Sequence, residues 1–100
     1  MIRVIVMPSA IRDIDVTTEY ITESNDADIV RALQYRDRLI KRFDRLTVFP
    51  NRGRLRPEFG EGVRSLPAQP SVIFYRVVGD VVQILRVLDG RRDLQVVFFE

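Results

Sequence analysis

From Ile2 to Met7 the chain is apolar and β-branched apart from Arg3, and Pro8 closes the run, which predicts a strand. Ser9 then stands where a helix N-cap would. From Ala10 to Glu23 the positions Ala10, Ile14 and Ile21 recur at near-helical spacing, with Thr17 between them and Ile11 and Tyr20 at the margins of the stripe. The stretch ESNDAD breaks this pattern and offers Asn25 or Asp26 as a second N-cap, with carboxylates in the next turn to complement the helix dipole. The second helix carries Ala32, Leu33, Leu39, Ile40, Phe43 and Leu46 on its apolar side, while Arg31, Arg38, Lys41, Arg42 and Arg45 lie mostly off it. A connection of only a few residues makes the pair an antiparallel hairpin.

Beyond Phe49 the pattern changes. Pro50, Gly53, Pro57, Gly60 and Gly62 argue against any regular element, with Gly53 read as supplying an unusual backbone angle and Pro57 as stiffening the turn. GVRSLPA, PSVIFYRVV and VVQILRVL then read as three strands. Gly79-Asp80 is a two-residue hairpin turn between the last two, setting Val78 opposite Val81. Strict alternation places Val72, Phe74, Arg76, Val78, Val81, Gln83, Leu85 and Val87 on one face. Ile73, Tyr75, Val77, Val82, Ile84, Arg86 and Leu88 fall on the other. Neither face is polar, so both need cover. The helices can supply one. For the other, either the terminal RRDLQVVFFE folds back or something outside the chain covers it. The predicted fold class is α+β: an N-terminal strand and a helical hairpin packed on a small, mainly antiparallel sheet.

Composition narrows the chemistry. One hundred residues, 46% of them hydrophobic, are expected to form one domain spanning residues 1–100, burying about 65% of the unfolded surface. The absence of cysteine and histidine removes disulfides, thiolate metal sites and the commonest general base, so no metal site, cofactor or histidine dyad is expected. VIVM is too short for a signal peptide or a membrane span, so the expected location is the cytoplasm. The net charge of +2 hides a local excess, because residues 31–56 hold nine basic and two acidic side chains. Fifteen of the sixteen basic residues are arginine, whose planar fork suits bidentate contacts to carboxylate, phosphate or carbonyl oxygen.

PSAIRDIDVTTEYI resembles the N-terminal pattern of ParE toxins of the ParE/RelE superfamily in Pro8, Ala10, Asp13-Ile14 and Tyr20-Ile21. LTVFPNRGRLRPE is similar to that family's Leu-x-x-Phe-Pro…Gly-Arg…Pro-Glu stretch. GVRSL followed by VIFYRVVGDVVQILRVLDGRRDL resembles its Arg-Leu, Tyr-Arg-Val and Gly-Arg-Arg-Asp sequence. The likeness runs over roughly residues 3–94. It implies a RelE/ParE-like fold and the toxin half of a type II toxin–antitoxin pair, neutralised by a ParD-like antitoxin. ParE-type toxins are understood to poison DNA gyrase, whereas RelE-type relatives cut mRNA on the ribosome. Cleavage by a 2′-hydroxyl needs a proton acceptor, a proton donor and cations for the transition state. Arg54, Arg56, Arg64, Arg76, Arg86, Arg91 and Arg92 could be the cations. The rest is missing: histidine is absent, the last tyrosine is Tyr75 in mid-strand, and the family's Leu-His-Gly has become Leu88-Asp89-Gly90. The expectation is a non-enzymatic gyrase inhibitor with no catalytic residues, the ribonuclease being the alternative.

Arg52, Arg54, Arg56, Arg64, Arg76, Arg86, Arg91, Arg92, Phe98 and Phe99 are the candidate contacts to target or antitoxin. For Arg54 and Arg64 a second reading stands, internal pairing with Glu58, Glu61 or backbone carbonyls. Sequence-specific nucleic-acid binding is not expected, because Phe74 and Tyr75 fall on opposite faces and form no stacking pair. The segment after Asp93 is either docked structure or an interaction arm. Truncation there is expected to abolish toxicity and spare antitoxin binding.

Overall fold

Pro8 begins the first helix one residue before the expected cap. In the computed structural model, which describes residues 1–23 and 27–100, strand β1 (Arg3–Val6) leads into helix α1 (Pro8–Thr22), with Met7 at the N-cap. Proline suits the first helical position because its fixed φ is already helical and its missing N–H would find no partner there. Ser9 instead accepts a hydrogen bond from Arg12. Ala10 and Thr18 are the buried residues of α1, and the Thr18 hydroxyl donates to the Ile14 and Asp15 carbonyls, so its burial leaves no orphan.

Helix α2 (Ala27–Leu46) buries Ala32, Tyr35, Leu39, Phe43 and Leu46. The intervals of three and four put those five on one stripe, whereas Leu33 and Ile40, each one position past a stripe residue, turn about 100° away. They are 61% and 55% exposed, against the expected assignment. Tyr35 takes the place they were given, its hydroxyl lying 2.9 Å from Ser71 Oγ. The proposed caps Asn25 and Asp26 lie outside the described residues.

The sheet has five strands in the order β1-β5-β4-β3-β2. β2 (Arg54–Leu55) pairs antiparallel with β3 (Arg64–Ala68), β3 with β4 (Ser71–Val78), and β4 with β5 (Val81–Asp89); β1 lies parallel to β5. Val78 faces Val81 across a turn in which Gly79 has φ +60°, as the hairpin reading predicted.

Two expectations need correction. The turn-rich segment does hold regular structure, namely β2 and a 3₁₀ turn at Pro57–Phe59, because its prolines and glycines fall around these short pieces. Gly53 has no positive φ. It is needed for space: a Cβ there would meet the Tyr75 ring and hydroxyl at 2.7 Å and the Ser65 carbonyl at 2.9 Å.

A β-bulge reassigns the faces. Up to the Tyr75–Ile84 pair the alternation holds, but Phe74 pairs with Arg86, so Leu85 is the extra residue and the phase flips after it. Val87 therefore joins Ile73, Tyr75, Val82 and Ile84 under the helices, while Leu88 crosses to the Phe74 side. Part of that far side, around Phe74 and Leu88, is covered from within the chain. Phe59 and Val63 from the turn-rich segment and Val97 from a short helix α3 (Leu94–Val97) bury themselves against Phe74 and Leu88. The C-terminal segment is thus docked structure, although Phe99 remains 64% exposed.

Candidate interaction surface

The far face of the sheet carries most of the predicted site residues, and it divides into a capped half and an open half. In the capped half, Phe59, Phe74 and Phe98 form a triangle with ring centroids 4.7, 5.0 and 5.2 Å apart, and Phe99 packs on its outside, 5.0 Å from Phe98. Arg56 extends from the end of β2 over this cluster, its guanidinium 5.0 Å from the Phe59 centroid and 5.9 Å from that of Phe74. It also donates to Glu58 and to Ser65 Oγ. The Glu58 carboxyl is held below its usual range by its own backbone N–H, with Arg56 adding to the effect.

Arg86 closes the cap from the side. β1 pairs with β5 only as far as Ile84, so the β5 edge beyond is open to another partner. Asp13 of α1 provides it. Its carboxylate accepts from the Val87 N–H at 3.0 Å and from Arg86 Nε and Nη2 at 2.7 and 2.8 Å. The other arm of the fork donates to the Val97, Phe98 and Glu100 carbonyls at 3.0, 2.7 and 3.2 Å. Both side chains are only 12% exposed, and the bidentate bond to Asp13 pushes the guanidinium's pKa up despite burial. One arginine thus ties helix, strand edge and C-terminal segment together.

Arg64 is likewise committed internally, donating to the Asn51 and Gly53 carbonyls at 3.1 and 2.8 Å, which is the pairing reading offered for it. Arg91 grips Asp89 at 2.7 Å and holds that carboxyl down at about 2. Among the described residues no hydrogen bond or ion pair engages the side chains of Arg52, Arg54 or Arg92, which are exposed. Arg76 belongs to the open half, across from Gln83 and near Ile5, Val78 and Val81. The structure therefore brings Arg56, Arg86, Phe98 and Phe99 to one cap, leaves Arg76 beside it, and separates Arg91 and Arg92 at the end of β5.

Tyr75 lies on the other face. It is fully buried, its hydroxyl accepts from the Gly53 N–H at 2.7 Å, and burial pushes its pKa up. Between α1 and α2 there is also an apolar groove of about 230 Å³ lined by Ile11, Ile14, Leu39, Ile40 and Phe43. Among the described residues no cluster of three or more acidic side chains could hold a metal ion, and no helix is long and apolar enough to cross a membrane.

Sequence reasoning missed Asp13, Phe59 and Phe74 as parts of one assembly. Phe59 had a local signal, a single aromatic between Pro57 and Gly60; Asp13 stood in the family-like pattern, but nothing near it pointed to partners more than seventy positions away.

The family profile for the ParE toxin of the type II toxin–antitoxin system parDE matches residues 4–94. Toxin ParE3 of Caulobacter vibrioides is 35% identical over 82 residues, which cover 82% of this chain and 80% of that protein. A solved structure of the chromosomal ParDE TA system from P. aeruginosa superposes with a TM-score of 0.74 at 25% identity, covering 89% of this chain and 96% of that one. By the family profile and the 35% identity, the chain belongs to the ParE toxin family of type II toxin–antitoxin systems.

Proposed function

We propose that the chain acts by binding and not by catalysis, inhibiting DNA gyrase and being held inactive by a ParD-like antitoxin. The observation that carries this reading is the state of Tyr75. An mRNA-cleaving relative needs a group able to take the proton of the attacking 2′-hydroxyl, and the sheet's tyrosine is buried in the core, hydrogen-bonded to Gly53 and raised in pKa. With no histidine in the chain, the arginines remain. They can stabilise charge but cannot accept a proton near neutral pH. Glu58, the carboxylate nearest the aromatic cap, is a weaker base than usual for the reason given above.

The antitoxin half rests on the likeness to the ParDE system and on the groove between the helices, whose mostly apolar lining, with Asp15 and Arg36 among it, suits apolar side chains of an amphipathic segment. Exposed Arg52, Arg54 and Arg92, with Phe99 at the cap's edge, are the proposed contacts to the target.

The test pairs two assays on the purified chain. Gyrase supercoiling is expected to be inhibited with accumulation of cleaved DNA, and translating ribosomes are expected to show no new mRNA cuts. Codon-specific mRNA cleavage at substoichiometric protein would establish the ribonuclease instead.

A further inference from the structure

Arg76 differs from the other arginines engaged on the sheet and its turns. Arg56, Arg86 and Arg91 each hold a carboxylate, and Arg64 holds two carbonyls. Arg76 has one contact, Nη2 to Gln83 Oε1 at 3.4 Å, which is at the long limit for a hydrogen bond. Its Nε is buried and has no partner among the described residues.

The burial has a visible cause. The turn at Gly62 (φ +75°) lies over the Arg76 stem, so that a Cβ there would sit 3.7 Å from Arg76 Cγ and Cδ. The stem is sandwiched and Nε is cut off from water. Guanidinium offers five N–H donors, and leaving a half-buried cation with one weak acceptor is unfavourable. The surroundings cannot repair this. On the same face the neighbouring positions are Gln83 across β5 and Ile5 beyond it on β1, with Val78, Val81 and, paired with Val81, Arg3 at the hairpin end. Ile5 and Val78 are 45% and 49% exposed, so the patch is largely apolar around a poorly satisfied cation, with the exposed Arg3 at its edge adding to the positive charge.

Resting on the reading that the chain has a ParD-like antitoxin, we infer that this open half of the sheet is an antitoxin docking surface, on which an Asp or Glu of the antitoxin, flanked by aliphatic side chains, receives the Arg76 fork. The chemistry selects a carboxylate because a planar fork is matched by two parallel acceptor oxygens, and the apolar rim selects aliphatic neighbours for it. A resident partner fits better than a transient one. A protein held in a standing complex tolerates an unsatisfied cation in its free form, since the complex is the state in which it is stored.

The experiment measures binding of a full-length ParD-like antitoxin to wild type, Arg76→Met, Arg76→Lys and the exposed control Arg45→Gln on α2. Methionine keeps the stem packed under Gly62. Affinity is expected to fall at least about tenfold for Arg76→Met, less for Arg76→Lys, and less than about twofold for Arg45→Gln. The free Arg76→Met chain is expected to melt no lower than wild type, because an unsatisfied cation has been removed, which a purely structural arginine would not allow. Equal affinity in wild type and Arg76→Met would overturn the inference alone. So would a large fall in the melting temperature of both variants, or loss of gyrase inhibition with antitoxin binding intact. Failure of the wild-type chain to bind the antitoxin would overturn the functional reading and this inference with it.

Discussion

The two faces of the sheet are buried by different means. Under the helices the cover is two long amphipathic elements, and Tyr35, Leu39, Leu46, Ile73, Tyr75, Val82 and Ile84 are all essentially inaccessible in one continuous core. The far face is covered by pieces of three or four residues, the 3₁₀ turn at Pro57–Phe59 and α3, held by aromatic edges and by the Arg86 fork. Helices this short have little stability of their own. Aliphatic packing over a wide contact makes the near face cooperative with global folding, whereas the far face depends on a few specific contacts and leaves half its area open. A molecule that must keep its fold and still offer surface to partners can do so by dividing these tasks between faces.

Removing the residues after Asp93 is the strongest test of that division. Docking of α3 turns this truncation, expected from sequence to separate target from antitoxin contact, into a stability experiment. Loss of Val97 and Phe98, with Leu94, at about 1.5–3 kcal/mol per side chain predicts a total loss of about 5 kcal/mol. Denaturant unfolding checks the magnitude. Hydrogen exchange is expected to show new exposure at Phe74 and Leu88 while α2 stays protected; uniform loss of protection would mean that the faces are not separable. Asp13→Ala should come next, at about 4 kcal/mol, because it strands a nearly buried guanidinium and an edge N–H together. Its melting curve, compared with that of the truncated chain and of the double variant, should show strong non-additivity, since both act through Arg86.

Leu39→Ala probes the near face alone. A loss of about 3 kcal/mol with an unchanged denaturant slope is expected, and the effect should add to that of the truncation. The smallest effect belongs to Asp89. Its folded pKa of about 2 lies below the ordinary aspartate value of 3.8, so the Arg91 pair adds stability above pH 4 that is lost as pH falls through 2. The pair is well exposed, and screening keeps its contribution small. Asp89→Asn should therefore flatten the stability profile between pH 4 and 2 and leave the rest of it unchanged.

These contrasts also explain what could be read from residues alone. Two local signals agree with the structure: Gly79-Asp80 sets the Val78–Val81 register, and Arg31, Arg38, Lys41, Arg42 and Arg45 of α2 stand outside its buried stripe. Tyr35 was overlooked because a tyrosine enters a core only with a partner for its hydroxyl, and Ser71 is distant in sequence. The bulge at Leu85 leaves no mark in VVQILRVL, which reads as one regular strand, so the assignments of Arg86, Val87 and Leu88 beyond it are inverted. Among the site residues, the arginine types were legible but their employment was not. Arg86 and Arg64 turn out to hold the fold, and only placement in three dimensions separates them from Arg52, Arg54 and Arg92.

The parallel pairing of β1 with β5 sets a condition on how the protein comes into being. Arg3 pairs in register with Val81 and its N–H donates to the Asp80 carbonyl at 2.8 Å, so β1 waits for a strand made much later. At roughly 5–20 residues per second, translation leaves it without that neighbour for several seconds. A chain that stops before Val81 lacks the strand against which β1 pairs, so docking of β1 is expected to follow the synthesis of β5.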